Sequence, residues 1–470
     1  MNPDLLVDRE RRHGARPADR PHDAPDDRPR DHVRDLSAAL AAALLVLAAV
    51  LVGTAIQDRH HSLFVGWPPV FAQWEPHVGP GTPAALSVAV AVVAYGPALA
   101  AQLPWRALLF TAWGTAMAWT FSLALVDGWQ RGIAGRLTTT NEYLTVIGRF
   151  HDIPATLHDF THHILSHSPA PWPAHIAGHP PAATVTFVLL DRIGLGGGAW
   201  AGVWCITVGA TAGAAVLVAV RVLAGEQLAR RAAPFLVLAP AAVWVGTSAD
   251  GYFAAVAAWS VAFLALAVTG HRPRSTGFVA GLLFGLTAYL SYGLTLFAVI
   301  AGAALLLGRR RLRPLPYIVA GLAVVPVVFT LLGFNWWEAY RLLITRYYEG
   351  VGGIRPYGYW VWANLACTVL LVGPATVAGL RRAGAQLPQL RGGLRAAVPQ
   401  PRLVLLVFAA LLALLVADLS GMSKAETERI WLPFAMWLLP ACAFLPRPRA
   451  WLTAQAALAL LLNHLLLTGW

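Results

Sequence analysis

Apolar blocks of close to twenty residues, separated by short arginine-bearing linkers, constrain this chain more than any other feature. Residues 36–56, 107–126 and 403–419 are examples. Each is about the length a helix needs to cross the hydrocarbon core of a bilayer. Of the 470 residues, 57% are hydrophobic and only 12% charged, about half the charged share of a soluble domain. A soluble enzyme is excluded, and so is a single-span anchored domain. Within lipid only helices and closed barrels satisfy every backbone N–H and C=O, and blocks of this length predict an all-α polytopic membrane protein.

The formal net charge of +12 does not point to nucleic acid, because basic residues flanking membrane spans have their own explanation. Lys424 is the single lysine among 35 basic residues, a bias of composition. Cys205, Cys367 and Cys442 all fall in apolar stretches, which predicts buried thiols and no disulfide framework. Residues 1–35 are rich in Arg, Asp and Pro and carry too little apolar surface to fold. They are expected to form a disordered cytoplasmic tail, followed by a retained first span at 36–56.

With the tail inside and the spans alternating, Arg106, Arg221, Arg230, Arg231, Arg272, Arg274, the arginines of 309–313, Arg381, Arg382, Arg391, Arg395, Arg402, Arg447 and Arg449 all fall in inner linkers. They outnumber the basic residues outside, although the inner linkers are less than half as long, as the positive-inside rule requires. Beyond the tail, Glu226 is the one acidic residue on the inner side. The expected topology is N-terminus in, about 13 spans, C-terminus out. Segment 182–195 is too short to span and reads as an interfacial or half-inserted helix. Segment 277–307 is interrupted by Ser291-Tyr292-Gly293, and such irregular backbone is tolerated only beside protein or a water-filled cavity.

The polar chemistry gathers on the outer face. A long segment, 127–198, carries Asp127-Gly128-Trp129, then Asn141-Glu142-Tyr143, then a histidine-rich stretch closing on His179-Pro180-Pro181; seven of the fifteen histidines fall within 151–179. Later come Ser248-Ala249-Asp250, an aromatic loop at 335–360 interleaved with Arg341, Arg346 and Arg355, and the stretch from Ser423 to Phe434 containing Lys424 and Arg429. Carboxylates at the mouths of neighbouring spans can activate a nucleophile, and cations opposite them can hold a phosphate. Each feature also has a plainer reading. Asp127 reads as a solvated helix-end carboxylate, Asp250 as a helix N-cap, and the aromatic loop as an interfacial belt. His158/His162 and His163/His167 are spaced to share a helical face. A divalent metal is one reading of them and a hydrated interfacial helix the other; no closed metal motif is present.

Taken in order, these pieces resemble the GT-C fold membrane glycosyltransferases, especially the protein O-mannosyltransferases and the bacterial aminoarabinose transferases. The resemblance covers roughly residues 105–450. Asp127 or Asn141-Glu142 is similar to the family's outer acidic motif, and His179-Pro180-Pro181 to its Pro-Pro motif. Residues 232–252 resemble its span ending in Pro followed by an aspartate, and 277–307 its paired half-length helices. Arg429-Ile430-Trp431-Leu432-Pro433 resembles its late Arg-Tyr…Leu-Pro motif. Asn141 stands where the family usually has Asp, and two extra spans (36–104) precede the core. The outer loop 127–198 lies within that core, and a last span (451–470) follows it.

The resemblance implies a glycosyltransferase in the cell membrane that takes a mannose- or arabinose-like sugar from a polyprenyl-phosphate donor. The acceptor would be a cell-envelope glycan or protein, and the transfer inverting. Membrane lipids surround such a protein, and no nucleic acid is a partner. Asp127 or Glu142 is the expected base, with Asp250 assisting. Lys424, Arg429, Arg341 and Arg346 are the expected phosphate cations, and His179 a donor contact. No cofactor is required by this reading beyond the open question of a divalent metal. The alternatives are a non-catalytic polyprenyl-lipid-binding relative and a transporter or flippase. A transporter is expected to hold its carboxylates near the membrane midplane, whereas here only Asp418 lies near the end of an apolar run.

Overall fold

The computed structural model describes residues 28–392 and 398–469. The expected tail up to residue 27, and Arg395, lie outside the described residues. The described residues form helices and their connecting turns, with one short strand pair among them. In chain order the helices used below are α1 (Pro29–His60), α2 (Thr82–Gln102), α3 (Trp105–Ala124), α4 (Ala182–Arg192), α5 (Gly198–Ala224) and α6 (Glu226–Val237). They continue as α7 (Ala249–Thr269), α8 (Pro273–Leu290), α9 (Phe297–Leu307), α10 (Leu315–Leu331), α11 (Trp336–Glu349), α12 (Tyr357–Ala385), α13 (Pro399–Leu419) and α14 (Pro448–Leu465).

Among the described residues, seven helices are long and apolar enough to cross a membrane, or eight if α10 and α11, bent 76° to each other, form one broken span. That is fewer than the thirteen crossings expected. Proline and glycine divide several apolar blocks into shorter pieces, as Pro240 does between α6 and α7. The half-length helices expected at 277–307 are present: α8 ends at Ser291, whose φ of −153° and ψ of 135° are extended, and α9 resumes after a 3-10 turn at Tyr292–Leu296. Helix α4, eleven residues long, starts directly after Pro180-Pro181 and is too short to span.

The first helix begins at Pro29, inside the stretch read as tail. The reason lies far along the chain. Asp35 is fully buried and pairs with Arg381 and Arg382 of α12, each at 2.7 Å. Asp35, Ala42 and Ala49, seven residues apart, form the buried seam of α1, while Leu36, Leu40, Leu44, Leu47 and Leu51 are exposed on the opposite, lipid-ready face. Helix α7 is the reverse case, with 78% of its apolar window buried. A helix apolar all round belongs at the centre of a bundle. Within α12, Gly373 adopts φ 79° ahead of Pro374, and Gln455 of α14 patches the break by donating to the Val372 carbonyl at 2.8 Å.

Helices α8 and α10 touch backbone to backbone. Gly281 lies against the carbonyl of Ile318 and Gly321 against that of Phe278, and Gly277 and Gly285 flank the same seam. Small residues four apart permit such approach between membrane helices. Gly281→Val would put a Cβ and two methyls into that contact. The expected cost is about 1–3 kcal/mol, read as a lowered unfolding temperature of the purified protein, whereas Gly302→Val, where no atom lies within 4 Å of an added Cβ, should be close to neutral.

The segment expected to be a last span leaves the helix at Leu466. Residues Leu466–Thr468 pair antiparallel with Ala72–Trp74, and the His464 and Leu465 carbonyls accept from the backbone of His77 and Glu75. This pairing carries the end of the chain over the same face as the end of α3.

Candidate functional site

Helix α3 tightens into a 3-10 turn at Leu125–Asp127. Gly79 and Gly81 pack directly on the backbone of that turn, bringing His77 against Asp127. The Asp127 carboxylate is then enclosed by three side chains: His77 through Nε2 at 2.8 Å, Arg136 at 3.0 Å and Arg131 at 3.7 Å. Arg136 also donates to the Thr468 carbonyl at 2.8 Å, so Asp127 anchors the loop to the end of the chain. It does not line the pocket; Arg136 stands between.

The pocket itself is lined by Arg136, Glu142, Tyr143, His175, Ser248, Asp250 and Arg429, with Thr247, Ala249 and Gly469. They come from six separate stretches of the chain. Glu142 precedes the 3-10 helix Tyr143–Arg149, and Tyr143 is buried between the His175 and His179 rings and Phe187. Asp250 lies in the first turn of α7. The N-cap there is Ser248, whose Oγ accepts from the Asp250 backbone N–H at 3.1 Å. Asp250 is therefore not the cap that its position suggested, and its carboxylate is available to the site. Two tight turns hold the rest. Thr247 has φ 72°, and Ala425 and Glu426 have φ 70° and 61°, unfavourable values for residues with a Cβ. Such strain persists only where surrounding contacts over-determine it.

At the centre, Arg429 donates to Asp250 at 2.8 Å, to Glu426 at 2.9 Å and to His175 Nε2 at 3.0 Å. His175 Nδ1 meets Glu142 at 2.9 Å. An Arg can only donate, so Nε2 must accept and Nδ1 carries the proton to Glu142, which assigns the neutral Nδ1–H tautomer. The result is a connected row: Glu142, His175, Arg429, then Asp250 and Glu426. Burial opposes ionisation of Glu426, but Arg429 and then Arg355 outweigh it and hold the carboxyl below its usual range. Burial likewise opposes the charge on Arg429, yet Asp250 and Glu426 push its pKa further up. The row leaves about 10 Å³ for the centre of a water molecule, room for roughly one water.

A second stretch of cations adjoins it. Arg355 is buried, lies 3.5 Å from Glu426 and donates to the Lys424 carbonyl at 2.7 Å; the Lys424 ammonium donates to Gly352 at 2.9 Å beside the Tyr348 ring. Of the residues singled out in the sequence, Glu142, Asp250 and Arg429 meet in one pocket, and Lys424 adjoins them. Arg341 is exposed on α11, where its Nε reaches the Trp337 carbonyl at 3.4 Å. Arg346 donates to the Trp172 carbonyl at 3.2 Å. The sequence reading did not single out His175, Glu426, Arg136 or His77, and it named Ser248 only as a neighbour of Asp250. His175 was one histidine among seven, and Glu426 sat unmarked in the stretch that holds Arg429.

His179 packs against Tyr143 and Phe253, with its Nδ1 2.8 Å from the His175 carbonyl. Burial pushes its pKa down to about 4, against an opposing pull from Asp250. Between pH 6.5 and 4 the unfolded chain takes up a proton that the folded chain refuses, so stability falls on acidification. The expected loss across that window is about 3 kcal/mol, and His179→Asn should flatten it in pH-dependent unfolding. Glu426 acts in the same direction, since its contribution disappears as pH falls through its lowered pKa.

The histidines expected to pair on one helical face do not keep that geometry. The helix Ile153–Asp159 gives way to a 3-10 turn at Phe160–His163. Asp159 takes His162 and His163 at 2.7 and 2.8 Å, and His167 faces Glu349 at 3.7 Å. Among the described residues, no group of three His, Cys, Asp or Glu side chains is placed to share a metal ion. In the pocket, the Arg429 guanidinium occupies the position between carboxylates that a metal would need.

These features define a multi-pass helical membrane protein with a buried carboxylate–histidine–arginine site at one end of the bundle. No known family matches the sequence, and no curated protein matches it. Among solved structures, the chain is similar to the oligosaccharyltransferase of Archaeoglobus fulgidus. The apo form matches with a TM-score of 0.45 and 13% identity, over 73% of this chain and 50% of that one. The complex with Zn and sulfate gives 0.42 and 15%, over 74% and 53%. The complex with an inhibitory peptide and a dolichol-phosphate gives 0.40 and 12%, over 72% and 50%. The chain spans about half the length of these structures, and likeness at this level assigns neither activity nor ligand.

Proposed function

We propose that this protein is a glycosyltransferase of the GT-C type, transferring a mannose- or arabinose-like sugar from a polyprenyl-phosphate donor to a cell-envelope acceptor at the outer face of the membrane. Support comes from the order of the motifs along residues 105–450. The observation that carries the reading is the convergence of Glu142, Asp250 and Arg429 in one buried pocket, with Lys424 and Arg355 beside it.

In this reading Glu142, not Asp127, is the base. Asp127 is enclosed by His77, Arg131 and Arg136, whereas Glu142 has one side-chain partner among the described residues, His175. Glu142 takes the proton of the acceptor hydroxyl as its oxygen attacks the anomeric carbon. The bond from that carbon to the phosphate oxygen breaks, and the polyprenyl phosphate leaves with the electron pair, inverting the centre. Lys424 and Arg355 balance the charge of the departing phosphate. Arg429, already between two carboxylates, holds Asp250 and Glu426 in place.

Ligand-induced stabilisation tests the donor class. Polyprenyl phosphate at a hundredfold excess over its dissociation constant should stabilise the protein by about 2.7 kcal/mol, and the neutral polyprenol should not. Stabilisation by nucleotide sugars but not by polyprenyl phosphate would overturn the proposal.

A further inference from the structure

The turn after α7 and the turn between α9 and α10 lie against each other at the far end of the bundle from the pocket. Asp250, in the first turn of α7, lines the pocket, and the helix runs twenty-one residues to Thr269, about 30 Å at the α-helical rise. That is the thickness of a bilayer's hydrocarbon core. The two turns therefore emerge at the other membrane surface, the inner one by the arginine bias. Three contacts join them. The Arg310 backbone N–H donates to the Val268 carbonyl at 2.9 Å, the Arg310 side chain lies against Gly270, and Gly277 of α8 packs on Pro314 at the start of α10.

Six arginines gather there, Arg272 and Arg274 from one turn and Arg309, Arg310, Arg311 and Arg313 from the other, all of them exposed. Basic residues beside a span are ordinarily explained by topology alone, and two observations go beyond that. The first is electrostatic. None of the six guanidinium groups makes an ion pair or a hydrogen bond among the described residues, and from 251 to 337 the chain has no Asp or Glu. Arg309 is also close enough to Arg402, at the start of α13, for the two charges to repel. The second is apolar. Leu312, inside the arginine run, is 74% exposed, and the faces of α8 and α10 that lead away from the arginines expose Phe278 and Val319. A free anion would answer the charge and leave that leucine in water. A headgroup followed by an acyl chain answers both.

We infer that these two turns form a docking site for an anionic phospholipid of the inner leaflet, its phosphate among the six guanidinium groups and its chains over Leu312, Phe278 and Val319. Clusters of about four to eight basic residues beside a membrane helix recognise anionic headgroups in this way. The site is independent of the proposed transfer chemistry and stands whether or not the protein is an enzyme.

The test is native mass spectrometry of the delipidated full-length protein, titrated with equal amounts of phosphatidylglycerol and phosphatidylcholine. One arginine near an anionic surface is worth about fivefold in affinity, so phosphatidylglycerol should be retained with a preference of at least roughly tenfold. Arg274→Gln and Arg311→Gln change exposed side chains that hold nothing in the fold, and each should lower that preference about fivefold. Arg274→Lys should keep it. Leu312→Gln, which keeps every arginine, should lower retention as well. Arg59→Gln removes the same charge from the last turn of α1, at the end where Leu63 meets Arg355, and should leave the preference as it was. Equal retention of the two lipids by the wild-type protein would overturn the inference. So would a preference that Arg274→Gln and Arg311→Gln leave unchanged, or one that Arg59→Gln lowers as much as they do. Displacement of the lipid by millimolar inorganic phosphate would show a free-anion site instead and would also overturn it.

Discussion

Arg429→Leu is expected to destabilise the protein by about 3–5 kcal/mol, the range for removing one partner from a buried charge cluster. Arg429 is 5% exposed and makes bonds of 2.8–3.0 Å to Asp250, Glu426 and His175. Without it, two carboxylates face each other at the pocket with no cation between them, and the His175 acceptor loses its donor. The left-handed turn at Ala425 and Glu426 also loses the contacts that hold it. Arg429→Lys should lie between, since an ammonium keeps the charge but lacks the planar fork that reaches two carboxylates at once. Thermal unfolding of the three proteins in the same detergent checks the order. Adding Glu426→Gln to Arg429→Leu should restore part of the loss, because one of the stranded charges is removed. An unfolding temperature unchanged in Arg429→Leu would mean that the cluster does not hold this end of the bundle together.

Glu142→Gln is the second large effect, and it falls on rate. The amide keeps the size of the side chain and accepts the His175 Nδ1–H through its oxygen, so the fold should be retained. What it loses is the capacity to take a proton, and general-base catalysis contributes typically 10²–10⁴-fold. The expected result is a fall in kcat of at least a hundredfold with KM for the lipid donor little changed. Asp127→Asn should behave differently. It weakens the contacts to His77, Arg131 and Arg136 that tie the loop to the end of the chain, so the unfolding temperature should fall while substantial turnover remains. If Asp127→Asn abolishes turnover at unchanged stability and Glu142→Gln does not, the two roles are reversed.

The spans were legible because hydropathy over twenty residues is a local property, and the break at Ser291-Tyr292-Gly293 was legible because turn-forming residues interrupt an apolar run. The site was legible only as fragments. Asp250 and Arg429 are 179 positions apart, and no local pattern marks them as partners. Two side chains near the start of α7 can cap it, and only the backbone angles at Ser248 decide that it does so and Asp250 does not. Asp35 read as tail because it is charged; its burial depends on two arginines near the far end of α12. The glycines joining α8 to α10 are spaced four apart on one helix, a signal present in the sequence, but their partner surface is known only once the helices meet. The thirteen expected spans exceeded the helices of spanning length because apolar composition alone does not reveal where a proline or glycine will divide a run.

Turnover of a lipid-linked sugar tests the central claim most directly. The purified protein in lipid nanodiscs would be given a panel of radiolabelled polyprenyl-phosphate sugars with a cell-envelope acceptor fraction, alongside Glu142→Gln in the same preparation. The account predicts that wild type moves label from at least one mannose- or arabinose-like donor to the acceptor, and that Glu142→Gln binds this donor equally and transfers at least a hundredfold less. Donor bound tightly by both proteins and transferred by neither would contradict it, leaving a polyprenyl-lipid-binding protein in place of an enzyme.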